Sequence, residues 1–389
     1  MLVLINGVVD TSGGNLRAAV NIAEALAADG RDVTFSAPIV LSQPHRTVLI
    51  MDDRVDRRLF PATRPVARFG GSARQLAWLV RHVRDFDEVQ THSLFSLSTV
   101  YAVAICAIRG VPIFLWPHGS IDPFDLRKHA RFKSLVGPVV TRRLLDRCAA
   151  IVFTTPHEEQ IAVTYGATVP HAVVPLPVVP VSTDDDTGAW RSRFGLPADA
   201  PVVLFLGRID YKKRLPLLVE SVSLLERPDV HLAVVGDGPA PDTALLHDAA
   251  RTFGVSERVH VTGWVEGADR AAAFSVADVF VLLSDAENFG LSIIEALSVG
   301  CPAVVSDRVF LAEDLQSAGV AVVVERDAVQ AARAIDAILG DPVAAIEMGT
   351  RAKEFVASRY SQAAVGACLR ELSAGVDESR SGSAPSCID

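Results

Sequence analysis

The chain has 389 residues, half of them hydrophobic, and a formal net charge of -9. That length is more than one hydrophobic core fills, so two domains are expected. The acidic balance is a poor match to non-specific nucleic-acid binding, and five scattered cysteines form neither a metal spacing nor a disulfide framework; a reducing cytoplasm fits them best.

The N-terminus, MLVLINGVVD, has no basic leader, so residues 2–9 read as a first strand and not as a signal peptide. The turn DTSGGN follows, then a helical pattern that Gly30 stops, then the strand DVTFSA. This β–turn–α–β unit opens a parallel sheet. Gly13 and Gly14 in the turn allow a ligand close to the backbone at a helix N-terminus, although a tight turn alone explains them equally well. They do not match G-x-G-x-x-G, which argues against a nicotinamide-dinucleotide site. Further strands are expected at DEVQTH, VPIFLW and AAIVFTT. The longest uncharged run, Ser93 to Ile108, is too short and too rich in Ser and Thr to cross a bilayer.

Trp116-Pro117-His118-Gly119-Ser120 follows VPIFLW and puts His118 at a strand end, although a lone histidine is more often structural. Residues 127–147 are basic, with Asp146 their only acid. An anionic membrane surface or acceptor would suit them; a solvated helical face is the simpler reading. Thr155-Pro156-His157-Glu158 is a capping box with proline at the first helical position.

Composition then changes. Residues 174–188, VPLPVVPVSTDDDTG, read as a linker, and their Asp-x-Asp pattern as solvated charge. Residues 1–180 hold 19 Lys and Arg against 15 Asp and Glu, and the remainder holds 18 against 31. The strand pattern restarts at PVVLFLG. GRIDYKKR (207–214) then concentrates Arg208, Lys212, Lys213 and Arg214 at a strand end, an anion site in an otherwise acidic domain. Gly236-Asp237-Gly238-Pro239 is a weak phosphate-loop signal, because Pro239 blocks the usual turn. Strands RVHVTGWV, DVFVLLS and PAVVSD follow. Between the last two lies SDAENFGLSIIEALSVG (284–300). The amides of Asn288, Phe289, Gly290 and Leu291 start a helix there, where a diphosphate fits. Glu287 and Glu295 bracket that turn and suit hydroxyls rather than phosphate. The expected fold is α/β, with two doubly wound Rossmann-like domains facing across a cleft. They cover residues 1–180 and 181–373, with the last helix able to return to the first domain and a disordered tail over 374–389.

Taken together, these motifs resemble the retaining glycosyltransferases of family four, with the GT-B architecture. E-x7-E falls at Glu287 and Glu295, and G-R-x-x-x-x-K at Gly207, Arg208 and Lys213. VVGDGP, VTGWV and GCPAVVSD occur in the family order, and WPHGSIDPF resembles one subgroup. The resemblance implies a metal-independent transfer from a UDP- or GDP-sugar, with no cofactor. Arg208 and Lys213 would neutralise the donor diphosphate, assisted by the amides of Phe289, Gly290 and Leu291. Glu295 would hold the ribose, and Glu287 and His118 the donor sugar. Gly14 would admit phosphate and acceptor, and Trp264 and Val265 would lie near the base. Arg214 departs from the family's frequent glycine. The acceptor is expected to be a glycan or glycolipid of the cell surface, reached from the cytoplasm or the inner membrane face. A small specialised metabolite is the alternative acceptor. Other GT-B enzymes, such as a nucleotide-sugar epimerase or a glycan phosphorylase, and a non-catalytic binding protein compete with this reading.

Overall fold

The structure is a computed structural model, and it describes residues 1–5, 14–39, 51–62, 66–120, 143–163, 169–179 and 187–378. Gly13 and most of the basic segment 127–147 lie outside the described residues. Among the described residues no helix is long and apolar enough to cross a membrane. The chain divides into two compact units, Met1–Pro177 with Gln362–Asp389, and Val178–Ser361.

The first unit is built on a seven-stranded sheet. Its strands are β1 (Leu2–Ile5), β2 (Val33–Ile39), β3 (Val55–Pro61), β4 (Val89–His92), β5 (Ile113–Trp116), β6 (Ala150–Phe153) and β7 (His171–Val173). They lie in the order β3-β2-β1-β4-β5-β6-β7, all parallel. Strands β1, β5 and β6 read LVLI, IFLW and AIVF and are buried throughout, as a parallel sheet covered on both faces requires. Strand β4 is buried but polar, and its side chains pair inside the core. Trp116 Nε1 donates to Gln90 at 2.6 Å, Gln90 Nε2 donates to Glu88 at 3.0 Å, and the Thr91 and Thr99 hydroxyls meet at 3.2 Å.

The second unit has a six-stranded sheet: β8 (Val202–Leu206), β9 (His231–Val235), β10 (Val259–Gly263), β11 (Val279–Leu282), β12 (Ala303–Ser306) and β13 (Ala321–Val324). Its order is β10-β9-β8-β11-β12-β13, again all parallel. Both sheets therefore reverse direction once, between β1 and β4 and between β8 and β11. At such a switch point the loops leaving the strand C-termini diverge and open a ligand crevice.

Three strands were not expected from the sequence: β3, β7 and β13. All three are sheet edges. An edge strand pairs on one side only and tolerates charge or shortness. β3 reads VDRRLFP with four exposed residues in its middle, and β7 has only three residues.

The last helix spans Gln362–Glu378, running past residue 373 where the tail was expected to begin, and groups with the first unit. It packs on the helix Gly14–Ala28, where Gly366 lies close to Asp29 and the Ala25 carbonyl. Arg370 pairs with Asp29, and Arg31 donates to the Ser373 hydroxyl at 3.2 Å. Residues 379–389 lie outside the described residues.

The loops after β8 and β9 pack backbone to backbone. Gly207 N donates to the Val235 carbonyl at 3.0 Å and Ile209 N to the Asp237 carbonyl at 2.7 Å. Gly236 has φ +145, and a Cβ there would overlap the Gly207 carbonyl oxygen; one on Gly238 would overlap that of Ile209. The two glycines are thus required by packing, whatever else they do. Gly236→Ala is expected to destabilise the protein by about 3 kcal/mol or more, through clash and backbone strain together. Gly14→Ala, with open space around its Cβ, is expected to stay within about 1 kcal/mol of wild type. Urea unfolding midpoints of the two variants check this.

Candidate functional site

In the second unit the candidate residues collect at the switch point. GRIDYKKR leaves the end of β8, and SDAENFG leaves the end of β11, its neighbour in the sheet. The two loops are tied together: Asp285 N donates to the Lys212 carbonyl at 2.8 Å. Asp210 caps the short turn Tyr211–Lys213, accepting from Lys212 N at 3.1 Å. That turn aims Lys213 at the neighbouring loop, where its Nζ pairs with Glu287. Both side chains are about one-fifth exposed, so the pair is largely withdrawn from water while open on one side. Arg208 is half exposed and lies 3.4 Å from Asp210.

Arg214 corrects one expectation. Its charge does not add to the anion site, because Nε donates to Asp285 Oδ1 at 3.0 Å. Arg326, after β13, donates to the same oxygen at 2.7 Å. Two guanidiniums thereby brace the loop that carries Glu287. Arg214 also has φ +51, a left-handed conformation costly for any residue with a Cβ.

The helix Leu291–Ser298 begins on Gly290, which has φ 72 and no side-chain cap. No side chain occupies the positive end of its dipole, although within the first turn Ile293 N donates back to the Gly290 carbonyl at 2.8 Å. A Cβ on Gly290 would strike Ile293 and crowd Glu287. The Phe289 ring is buried edge-on against Tyr360, at 5.6 Å between centroids. It anchors the loop in the core. Glu295, inside the helix, is 3% exposed and pairs with Arg270 from the helix Gly267–Ser275. Gly236 sits after β9 and bridges to Gly263 at the end of β10. Trp264 and Val265 follow there. Trp264 is about one-third exposed and donates to Glu266 at 2.9 Å, whereas Val265 is buried.

In the first unit, His92 ends β4 at the switch point, and His118 follows β5. Their rings meet edge to edge, Nδ1 of His92 against Nε2 of His118 at 2.8 Å. Trp116 stacks on His92 at 5.6 Å. Burial drives the His118 pKa down to about 3 and holds that of His92 far below its usual value, with the neighbouring imidazole adding to the effect on His92. Both rings are thus neutral, and one shared proton bridges them. Ser93 and His118 both have positive φ, 80 and 51, and Ser93 N donates to the Trp116 carbonyl at 2.9 Å. Strain of this kind concentrates where side chains must be aimed. The loop is pinned from behind by Glu158, whose carboxylate accepts from Gly119 N at 2.5 Å and from Thr154 N and Oγ1 at 2.9 Å. The capping expected at Thr155 is present, with Glu158 N donating to its hydroxyl at 3.1 Å. The Glu158 carboxylate meanwhile holds the His118 loop. Gly14 starts its helix with open space around it. Buried Cys106 and Cys148 have thiols pushed up to about 12, too high for a ready nucleophile.

Sequence reasoning missed His92, Arg270, Asp285 and Arg326, and it singled out Glu158 as a cap without its hold on the His118 loop. Asp285 stands inside the quoted acidic loop, and His92 closes an expected strand, so both had a positional signal. Arg270 and Arg326 had none, because their partners are distant in sequence.

Two outcomes are expected. Replacing Arg214 by glycine removes left-handed strain of about 1 kcal/mol and an exposed ion pair of about 0–1 kcal/mol. Arg214→Gly should therefore unfold within about 1 kcal/mol of wild type, while Arg214→Val, which keeps the strain and loses the pair, should be clearly less stable in denaturant titration. The depressed histidines set the second. An unfolded histidine takes up a proton near pH 6.5 and the folded pair refuses it, so their contribution is intact above about 6.5 and is lost as pH falls towards about 3. His231 and His260, also depressed, act in the same direction. His92→Phe should flatten, without abolishing, the fall in urea midpoint between pH 7 and pH 5.

Two family models match the chain consecutively: glycosyltransferase family 4 over residues 12–180, and glycosyl transferases group 1 over residues 186–355. The chain is similar to the lipopolysaccharide core biosynthesis glycosyltransferase LpsE of Rhizobium meliloti, 34% identical over 180 residues, 45% of this chain and 50% of that one. It is 35% identical over 167 residues to the D-inositol 3-phosphate glycosyltransferase of Xylanimonas cellulosilytica, 40% of each chain. It thus spans half or less of the length of these curated relatives. Among solved structures, HepE of Anabaena in complex with UDP and glucose superposes with a TM-score of 0.77 at 16% identity, covering 96% of this chain and 99% of that one. Sucrose-phosphate synthase of Thermosynechococcus elongatus gives 0.76 at 21% identity, covering 97% and 99%. These similarities carry the fold, and the consecutive family matches carry the kinship: the chain belongs to the family-four glycosyltransferases, of GT-B fold.

Proposed function

We propose that the protein is a retaining glycosyltransferase that moves a sugar from a UDP- or GDP-sugar to an acceptor hydroxyl in cell-surface polysaccharide or glycolipid synthesis. The observation that supports this best is the pairing of Lys213 with Glu287 beside the uncapped start of the helix Leu291–Ser298. The site offers a cation and the backbone of an uncapped helix start for an anion, and a carboxylate for hydroxyls, within one loop cluster at a switch point. A diphosphate would take Lys213 and Arg208 together with the amides of Phe289, Gly290 and Leu291. Glu287, freed from Lys213, would accept from hydroxyls of the donor sugar, and Glu295 from the ribose. The resemblance assigns His118 a hydroxyl of the same sugar. As a neutral ring bonded through Nε2, it keeps Nδ1 for that contact. The base would lie by Trp264 and Val265, with Asn288 and Gly236 lining the loops.

The chemistry follows from charge. Breaking the anomeric C–O bond leaves negative charge on the departing phosphate and oxocarbenium character on the sugar. Lys213, Arg208 and the helix amides are already oriented and stabilise that charge without reorganising. The acceptor hydroxyl adds to the anomeric carbon from the leaving-group face, its proton passes to the departing phosphate, and configuration is retained. UDP is favoured as nucleotide by the UDP complexes of the fold neighbour HepE, and a surface-glycan acceptor by the similarity to LpsE. Membrane contact through residues 127–147 rests on their charge alone.

UDP, GDP and their hexose conjugates are the probes. One nucleotide series is expected to raise the melting temperature in a concentration-dependent way. Lys213→Ala and Glu287→Ala should each lower sugar transfer or donor hydrolysis by about a hundredfold or more. Wild-type rates in both variants would sink the assignment.

A further inference from the structure

Glu295 sits in the helix Leu291–Ser298 with its side chain 4% exposed. An ionised carboxylate is costly there unless it is paired. Its pair is Arg270, whose Nη2 donates to Oε2. Its guanidinium also lies over the Phe274 ring, 5.6 Å from the centroid, a contact that fixes its plane, while Nε is buried with no hydrogen-bond partner. The guanidinium is thus held where it meets Glu295, with one of its own donors left unsatisfied. Arg270 also has a meaningful place in the chain. Its helix, Gly267–Ser275, directly follows Trp264 and Val265 at the end of β10. The residue thus links the loop proposed for the base to the helix proposed for the ribose.

We propose that Arg270 is a positioning residue for the donor nucleotide's ribose: it fixes the Glu295 carboxylate so that this accepts from the 2′- and 3′-hydroxyls, and so sets selectivity for an intact diol. A carboxylate has about four acceptor positions and holds a guanidinium and hydroxyls together. With Arg270 gone, the buried carboxylate turns to other donors and the ribose loses its acceptor. Arg270 touches neither the anomeric carbon nor the leaving phosphate, so its loss falls on donor binding and not on the chemical step. This inference rests on the donor-site reading above.

The experiment compares binding of UDP or GDP, whichever the wild type binds more tightly, with its 2′,3′-dideoxy analogue by calorimetry. Wild type, Arg270→Met, Arg270→Lys and Glu295→Gln are measured, each first confirmed folded by circular dichroism. The wild type should prefer the intact ribose by about tenfold, the worth of a hydrogen bond to a charged group. Arg270→Met should bind both nucleotides alike, at the wild type's dideoxy affinity, and Arg270→Lys should recover part of the preference. In transfer assays Arg270→Met should raise KM for the donor with kcat within about twofold. A merely structural role would weaken both nucleotides equally and leave their ratio intact, which overturns the proposal. If Arg270→Met does not fold, Arg270→Lys decides: full wild-type preference there also overturns it. If wild type prefers the diol and Glu295→Gln abolishes the preference while Arg270→Met keeps it, only Arg270's role falls. If wild type binds neither nucleotide, the donor-site reading falls and takes this inference with it.

Discussion

The candidate site of the second unit centres on one ion pair, Lys213 with Glu287, formed across the switch point of its sheet. Each residue comes from a loop at the end of a different strand, β8 and β11, and neither loop is a regular element. What fixes them is a set of short ties: the Asp285 amide on the Lys212 carbonyl, the Asp210 cap, and the two guanidiniums on Asp285. The two guanidinium pairs are partly exposed, so each is worth about 1 kcal/mol or less alone. The value of the set lies in direction, because its ties hold a cation and a carboxylate at a spacing that an inserted diphosphate and sugar would divide between them.

Burial decides which groups keep a charge. In the second unit the candidate carboxylates have cations: Glu287 has Lys213, and Glu295 has Arg270. In the first unit the corresponding strand end carries two imidazoles, and burial keeps both neutral. The two units share a sheet order and a switch point but present different chemistry there. One offers fixed charge, which suits a diphosphate. The other offers an uncharged hydrogen-bonding ring held at an uncommon backbone angle, which suits hydroxyls.

Much of this was legible in the sequence, for identifiable reasons. Central strands such as IFLW and VVLFL are continuous apolar runs because both sheet faces are covered, and such runs are readable. The edge strands β3 and β7 were not, since pairing on one side tolerates the charge of one and the shortness of the other; β13, AVVV, is an apolar run that the sequence reading passed over. Loop residues Lys213, Glu287 and Gly290 were readable because their spacing within two short segments carries the signal. Arg270 and Arg326 were not, because each acts on a carboxylate tens of residues away and sits in an element with no local anomaly. Phe289 shows a subtler limit. The residue belongs to the turn as expected, but its ring packs on Tyr360 inside the core.

The same distinction explains the glycines. Gly236 and Gly290 both lie in loops proposed to meet the donor, and both have positive φ that a side chain resists. Their neighbours, however, are protein: the Gly207 carbonyl for one, Ile293 and Glu287 for the other. A glycine-rich strand end therefore reflects first the crowding of adjacent parallel strands, whose loops must cross within van der Waals contact, and only then access for a ligand. At a switch point the two demands coincide. The loops must be thin to pass one another, and thin loops expose their amides. A phosphate-binding character at such a site would then follow from how parallel strands are joined, with side chains such as Lys213, Arg208 and Glu287 refining it.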